Sequence, residues 1–124
     1  MAVLLVDDSQ PMRRIQKNVL VEIGIEDVRE ASDGDEALAL LRADPAAFQL
    51  VLLDVNMPNK NGLQTVQEIK KDAALKHLPV IMVSSESERS IVLQAIQAGA
   101  GDYCVKPFKK ETILEKIARF LPRK

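Results

Sequence analysis

Apolar positions along the chain alternate between two spacings, which predicts a repeating strand–helix architecture. Continuous apolar runs, typical of strands buried on both faces, occupy residues 2–6, 50–53 and 80–83. Shorter strand-like segments surround Val28 and Tyr103. Between the strands, apolar side chains recur every three or four residues, as on one face of a helix. The first such stripe consists of Met12, Ile15, Val19 and Ile23.

Capping and turn residues separate these segments. Ser9 is suited to cap the first helix and Gly24 to end it, while Asp44-Pro45 ends the second and Gly99 the fourth. The later helical stripes are Ala37, Leu38 and Leu41; Val66 and Ile69; Ile91, Val92, Ala95 and Ile96; and Ile113, Leu114, Ile117 and Leu121. Five strand–helix units account for the 124 residues, which predicts a doubly wound α/β fold with a parallel sheet flanked by five helices.

The common order for a five-stranded sheet of this flavodoxin-like type is 2-1-3-4-5, and we expect it here. In such sheets ligands bind beyond the carboxyl ends of the strands, where the strand order reverses. We expect residues 1–124 to form one domain, with no output domain.

Composition excludes several classes of function. Seventeen Lys and Arg residues stand against eighteen Asp and Glu, so a basic surface for nucleic acid is not expected. The single cysteine, Cys104, excludes a disulfide framework. No apolar run reaches the roughly 18 residues of a membrane span, and the N-terminus lacks a signal-peptide pattern. We therefore expect a cytoplasmic protein that binds neither nucleic acid nor membrane.

Polar side chains follow four of the predicted strands. Asp7 and Asp8 follow the first strand, Asp54 the third, Ser84 the fourth and Lys106 the fifth. At ~5 Å and an effective dielectric of about 20, each pair of carboxylates repels by on the order of 3 kcal/mol, so a proton or a cation must neutralise the cluster. Oxygen ligands without a nearby His or thiolate favour Mg²⁺. A cation, a lysine and a hydroxyl around one carboxylate form a phosphoryl-transfer site.

Each of these residues alone also has an ordinary structural explanation. Acids and hydroxyls often end strands, an Asp-Asp pair can cap a helix, and most lysines are simply solvated. Their joint occurrence at the ends of the strands favours a functional site.

The constellation resembles that of response-regulator receiver domains, over the whole chain. The segments that carry the resemblance are Asp7-Asp8-Ser9, Met12-Arg13-Arg14, Asp54-Val55-Asn56-Met57-Pro58-Asn59, Ala98-Gly99-Ala100 and Tyr103-Cys104-Val105-Lys106-Pro107-Phe108. Within that family the chain is most similar to the chemotaxis regulators. The resemblance implies a two-component signalling switch that catalyses its own phosphorylation and dephosphorylation, and not an enzyme that turns over a substrate.

The resemblance also implies a role for each site residue. Asp54 is implied as the phosphoacceptor, with a sensor histidine kinase as phosphodonor, and Lys106 and Ser84 would contact the phosphoryl group. The implied Mg²⁺ ligands are Asp7, Asp8, Asp54 and the backbone carbonyl of Asn56. Asn56 and Glu86 occupy the positions that tune dephosphorylation, and the Lys106–Pro107 peptide is expected to be cis.

The implied readout face comprises helix 4, strand 5 and helix 5. Phosphorylation would draw Ser84 inward, and Tyr103 would turn into the space it leaves. Two or three charge-assisted hydrogen bonds of ~1.5–3 kcal/mol each reach the roughly 5.5 kcal/mol that a near-complete shift requires. Basic residues exceed acidic ones from Lys106 onward, which favours an acidic partner or, alternatively, is only a solvated helix face. We expect a monomer whose partners are a flagellar motor switch protein or another target, and a phosphatase.

Four other functions compete with chemotaxis. The chain could serve another phosphorelay or act as a phosphate sink. An aspartyl-phosphate hydrolase of the haloacid-dehalogenase type is disfavoured, because Asn56 stands where those enzymes have a second Asp. A flavodoxin-like cofactor binder is disfavoured because the acids at positions 7 and 8 would repel a flavin phosphate.

Overall fold

Five parallel strands form one sheet in the computed structural model, which describes residues 1–85, 89–106 and 108–120. The strands are β1 (Ala2–Val6), β2 (Val28–Ala31), β3 (Phe48–Asp54), β4 (Val80–Ser84) and β5 (Asp102–Val105). Their order, β2-β1-β3-β4-β5, confirms the predicted fold class and strand order.

Five helices cover the two faces of this sheet. They are α1 (Gln10–Glu22), α2 (Gly34–Ala43), α3 (Gly62–Lys71), α4 (Arg89–Gln97) and α5 (Lys110–Ala118), with a short 3-10 turn at Pro45–Ala47. The apolar residues of α2, α3 and α4 share one buried cluster with one face of the sheet, and those of α1 and α5 share a second cluster with the other face. Within the described ranges, no helix combines the length and the apolar character needed to cross a membrane.

The register of the central strands determines which polar residues meet. Val6 of β1 lies opposite Leu53 of β3, so the residues that follow them, Asp7 and Asp54, emerge side by side. On the other side of β3, Asp54 lies opposite Val83 of β4. The sheet therefore gathers the strand-ending polar residues at its carboxyl edge, as the sequence predicts.

Local capping explains where the helices begin. The Ser9 hydroxyl accepts a hydrogen bond from the Met12 amide at 3.2 Å, which confirms the predicted cap of α1. Two caps were not foreseen from the sequence. Asp33 caps α2 by accepting from the Glu36 amide at 2.8 Å, and Asn61 forms a reciprocal capping box at the start of α3.

The buried face of α1 differs from the predicted stripe. Ile15 is 49% exposed, whereas Gln16 is only 1% exposed and Leu20 is fully buried. The buried face of α1 is therefore turned from the predicted stripe towards Gln16 and Leu20, while Val19 and Ile23 of that stripe still pack against the core. Leu114 of α5 is likewise exposed, while Ile113 and Ile117 on the same helix are buried; the predicted stripe member Leu121 lies outside the described residues.

The buried side chain of Gln16 generates a stability prediction. Its Nε2 has no hydrogen-bond acceptor among the residues that the structure describes, and an unsatisfied buried amide costs roughly 1–3 kcal/mol. The Gln16→Met variant, which has similar volume and no polar donor, should raise the free energy of unfolding by about 1 kcal/mol in urea denaturation. The control is Gln94→Met on the exposed side of α4, which should have little effect. A loss of stability in Gln16→Met alone would contradict this prediction.

Candidate functional site

Three carboxylates meet beyond the carboxyl ends of β1 and β3, where the strand order reverses. Asp7, Asp8 and Asp54 each offer an oxygen, and these oxygens all lie within 4.8 Å of one another. Asp7 and Asp54 are buried, at 1% exposure each, and Asp8 is exposed. The cluster is thus open to solvent on one side only, and it concentrates negative charge in a region of low effective dielectric.

Lys106 supplies the positive charge that faces this cluster. Its Nζ lies 2.9 Å from Oδ1 of Asp54 and 3.7 Å from Oδ2 of Asp7. The Lys106 backbone amide donates to the Ser84 carbonyl at 2.9 Å, which continues the β4–β5 pairing by one residue. The lysine is therefore held from the main chain, and its ammonium reaches across β4 to the acids of β1 and β3.

Burial determines the electrostatics of Asp7. Removal from water raises the pKa of Asp7 above its usual range, and the neighbouring Asp8 charge acts in the same direction. The backbone amide of Ser9, which donates to Oδ1 at 2.9 Å, and the charge of Lys106 partly oppose this rise in pKa. Oδ2 is buried and receives no hydrogen bond from any described residue.

The residues present fit a hard divalent cation. All the ligand atoms that the cluster offers are carboxylate oxygens. Among the described residues, Oδ2 of the buried Asp7 accepts no hydrogen bond, and the carboxylates of Asp8 and Asp54 repel that of Asp7. Mg²⁺ prefers such oxygen ligands and retains several waters, which the exposed side at Asp8 would admit. The cluster could therefore hold Mg²⁺.

Ser84 ends β4 next to a cavity that also involves Tyr103. Ser84 is 2% exposed, and the adjoining cavity has a volume of about 390 Å³. Its lining consists of Ser84, Ser85, Arg89, Val92, Tyr103 and Val105. Tyr103 is 37% exposed, and Lys116 Nζ lies 5.4 Å from the centroid of its ring. The predicted switch pair thus lines one common space.

Arg13 holds the segment that carries Asp7 and Asp8, a role that the sequence does not predict. Its Nη1 donates to the backbone carbonyl of Asp7 at 2.6 Å, and its Nε lies 3.1 Å from the carboxylate of Glu30. Arg13 therefore ties the segment that carries two of the acids to the neighbouring strand β2. The available signal was its place one turn into α1, directly after the acids, but nothing in the sequence indicated Glu30 as its partner.

The loop that follows Asp54 returns sharply to β3. The Gly62 amide donates to the Val55 carbonyl at 2.8 Å, and a Cβ at position 62 would lie 2.3 Å from the Asp54 carbonyl oxygen. Only glycine permits this approach. Met57 within the loop is 8% exposed, while the Asn56 side chain is exposed. The end of the loop at Gly62 therefore lies against the backbone of Asp54 and Val55, where the loop begins.

The predicted basic face is partly neutralised by its own residues. Lys116 and Arg119 both contact the Asp102 carboxylate, at 3.2 and 3.0 Å. Lys109 and Lys110 are exposed at the start of α5. Cys104 on β5 is buried, and burial raises the pKa of its thiol to about 12, so this side chain packs as a small apolar residue. The basic residues 123 and 124 lie outside the described part of the chain.

Two predicted site residues, Glu86 and Pro107, also lie outside the described residues. Their expected roles in tuning dephosphorylation and in a cis peptide stay predictions.

Comparisons with known proteins agree with this geometry. The response regulator receiver domain family matches residues 3–118. The chain is 42% identical to chemotaxis protein CheY-3 of Vibrio cholerae over 99% of this chain and 93% of that protein. It is 41% identical to chemotaxis protein CheY of Pseudomonas aeruginosa over 99% and 98% of the two chains.

Solved structures show the same relationship. The receiver domain of NtrX from Brucella abortus superposes with a TM-score of 0.84 at 35% identity, covering 96% of this chain and 97% of that one. CheY4 of Vibrio cholerae gives a TM-score of 0.84 at 34% identity, with 97% and 98% covered. The chain belongs to the response-regulator receiver domain family. Receiver domains accept phosphoryl groups from histidine kinases and act on downstream targets.

The raised pKa of Asp7 predicts how stability depends on pH in the metal-free protein. Between the ordinary aspartate pKa of 3.8 and the higher folded-state pKa, the folded state binds more protons than the unfolded state, so stability falls as the pH rises through this interval. Asp7→Asn, which keeps the acceptor for the Ser9 amide, should therefore raise the melting temperature at neutral pH in EDTA. The gain should disappear below pH 3.8, where Asp7 is protonated in both states.

The control for this measurement is Asp44→Asn, at an exposed acid that ends α2. Added Mg²⁺ should stabilise the wild type more than Asp7→Asn. A lower melting temperature for Asp7→Asn in EDTA at neutral pH would contradict the prediction.

Proposed function

We propose that this protein is the phosphoacceptor switch of a two-component system, in which Asp54 takes a phosphoryl group from a histidine kinase with the help of Mg²⁺. The observation that supports this proposal best is the buried Asp54 carboxylate, with the Lys106 ammonium 2.9 Å from Oδ1 and two more acids within metal-sharing distance. A buried carboxylate of this kind is a nucleophile suited to a charged phosphoryl group only where cations surround it.

In the proposed reaction, an oxygen of Asp54 attacks the phosphorus of a phosphohistidine. The new bond joins Asp54 to phosphorus, the phosphorus–nitrogen bond breaks, and its electron pair returns to the imidazole of the kinase. Asp7, Asp8, Asp54 and the Asn56 carbonyl would hold Mg²⁺, which supplies charge neutralisation for the phosphoryl oxygens. Lys106 supplies a second positive charge, since its ammonium already lies against Asp54.

The proposed switch uses Ser84 and Tyr103. The Ser84 hydroxyl would donate to a phosphoryl oxygen, and the ring of Tyr103 would move into the cavity that both residues line. Asn56 and Glu86 would set the lifetime of the phosphorylated state. The protein would thus catalyse its own phosphorylation and dephosphorylation without turning over a separate substrate.

The proposed pathway is chemotaxis in the cytoplasm, with control of the flagellar motor as output. Two curated relatives at 42% and 41% identity carry the name chemotaxis protein, which supports this assignment. The exposed apolar side chains Tyr103, Val105 and Leu114 lie on β5 and α5, where Lys109 and Lys110 are also exposed. A surface of this composition suits an acidic, partly apolar segment of a motor-switch protein.

Asp54→Asn should abolish phosphorylation by acetyl phosphate in the presence of Mg²⁺, because the amide is not a comparable nucleophile. The product is measured by intact-protein mass spectrometry, and beryllofluoride binding is measured by NMR. Asp44→Asn is the control and should be phosphorylated like the wild type. If Asp54→Asn accepts the phosphoryl group as well as the wild type does, another residue is the phosphoacceptor.

Activation should change the affinity for a motor-switch peptide. With beryllofluoride and Mg²⁺ present, the peptide should bind at least roughly tenfold more tightly, or about 1.4 kcal/mol, as measured by fluorescence anisotropy of a labelled peptide. The affinity should fall with added salt, since the proposed face is basic. Equal affinities with and without beryllofluoride would refute the motor output. The phosphoacceptor function would stand if the same protein accepts a phosphoryl group at Asp54 in the separate experiment.

A further inference from the structure

The loop after Asp54 contacts the segment between β2 and α2, which carries none of the site residues. Oδ1 of Asp33 accepts from the Glu36 amide and thereby caps α2. Oδ2 of the same carboxylate accepts from Nδ2 of Asn59 at 2.8 Å. Next to this contact, the Gly34 amide donates to the Lys60 carbonyl at 3.1 Å. Two hydrogen bonds, one from a side chain and one from the backbone, thus join the two segments.

The packing at this junction leaves no space for a side chain at position 34. A Cβ at Gly34 would lie 2.0 Å from the Thr65 hydroxyl and 2.7 Å from the Lys60 carbonyl oxygen. The Thr65 hydroxyl itself donates to the Asn61 carbonyl at 2.7 Å. The N-terminus of α2 therefore rests directly on the loop and on the first turn of α3.

Asn59 has a backbone conformation that requires stabilisation. Its φ of +64° lies in the left-handed region, where it is the only non-glycine residue in the described chain. Asparagine tolerates this region better than most residues, and its amide here also reaches Asp33. The Glu36 backbone amide and the Asn59 side-chain amide lower the pKa of Asp33, so the contact is a charge-assisted hydrogen bond at neutral pH.

Besides the contacts of Lys60 with Gly34, Asp35 and Glu68, the loop is attached at three places. Its start is the last residue of β3, Asp54, and its end is the Gly62 amide, which returns to the Val55 carbonyl. The third attachment is the Asp33–Asn59 contact near its middle. Asn56, whose carbonyl is the proposed cation ligand, lies between the first and the third attachment.

We propose that Asp33 and Asn59 are positioning residues for the phosphoacceptor site, because their hydrogen bond holds the loop in the conformation that presents the Asn56 carbonyl to the acidic cluster. This inference rests on the proposed function.

An exchange of the two side-chain types tests this contact. Asn59→Asp places two carboxylates against each other, whereas the double variant Asp33→Asn/Asn59→Asp restores the hydrogen bond with donor and acceptor exchanged, and an asparagine at position 33 can still cap α2. Asn18→Asp, on the exposed face of α1, is the control with the same change of charge as Asn59→Asp. The readouts are Mg²⁺ affinity by isothermal titration calorimetry and hydrogen exchange of the backbone amides of residues 55–57, 59 and 60 in the metal-free protein.

Asn59→Asp should bind Mg²⁺ roughly fivefold more weakly and exchange its loop amides faster. An added negative charge alone would strengthen cation binding, so a loss identifies the contact as the cause. The double variant should return both readouts to within about twofold of the wild type, whereas Asn18→Asp should not weaken Mg²⁺ binding and should leave the loop exchange unchanged. The inference is wrong if Asn59→Asp retains wild-type affinity and exchange, or if the double variant fails to recover them.

A second variant covers the case in which Asn59→Asp does not fold. Asn59→Gly removes the amide but favours the positive φ, so it should melt near the wild-type temperature. It should nevertheless show faster loop exchange and weaker Mg²⁺ binding, and unchanged values would overturn the inference. If the wild type itself binds neither Mg²⁺ nor beryllofluoride, the proposed function fails, while the exchange data in the metal-free variants still decide whether the contact orders the loop.

Discussion

The repulsion among three carboxylates at one edge of the sheet is the constraint on which the rest of the site depends. The parallel register brings Asp7 and Asp54 together whatever their charges, because Val6 and Leu53 are paired in the sheet. Folding therefore has an electrostatic cost that the apolar core must offset. Lys106 reduces this cost from one side. One lysine does not balance three carboxylates, so the cluster can still attract a cation. The same excess of negative charge makes the stability of the site depend on whether a cation is bound.

Around this charged centre, hydrogen bonds hold the segments that carry the acids, whereas β5 borders an open space. Asp7 is fixed by the Ser9 amide and by Arg13, and the loop after Asp54 is closed by Gly62. On the other side, Tyr103 is partly exposed beside a cavity of about 390 Å³. The switch that we propose would use this space, because it lies next to Ser84 at the end of β4.

The parallel sheet and the convergence of the acids with Lys106 could be predicted from the sequence, because buried parallel strands are visible as apolar runs and their ends must meet at one edge. The order of the strands comes from the common order of such sheets, since apolar runs do not specify it. The orientation of α1 could not, since Gln16 is polar in a position that tertiary packing buries. The Asp33–Asn59 contact joins residues 26 apart and depends on a left-handed backbone at Asn59, which no periodicity reports.

The edge strand β2 contributes no reacting group, but residues on it and just after it hold the two segments that carry the acids. Glu30 near its end pairs with Arg13, and Asp33 just beyond it pairs with Asn59. This arrangement sets a limit on recombination between related receivers. A chimaera whose crossover falls between α2 and β3 would take Asp33 from one parent and the loop that carries Asn59 from the other. It would keep a complete set of acids and a well-packed core, and we expect its defect in the order of the loop and in cation affinity.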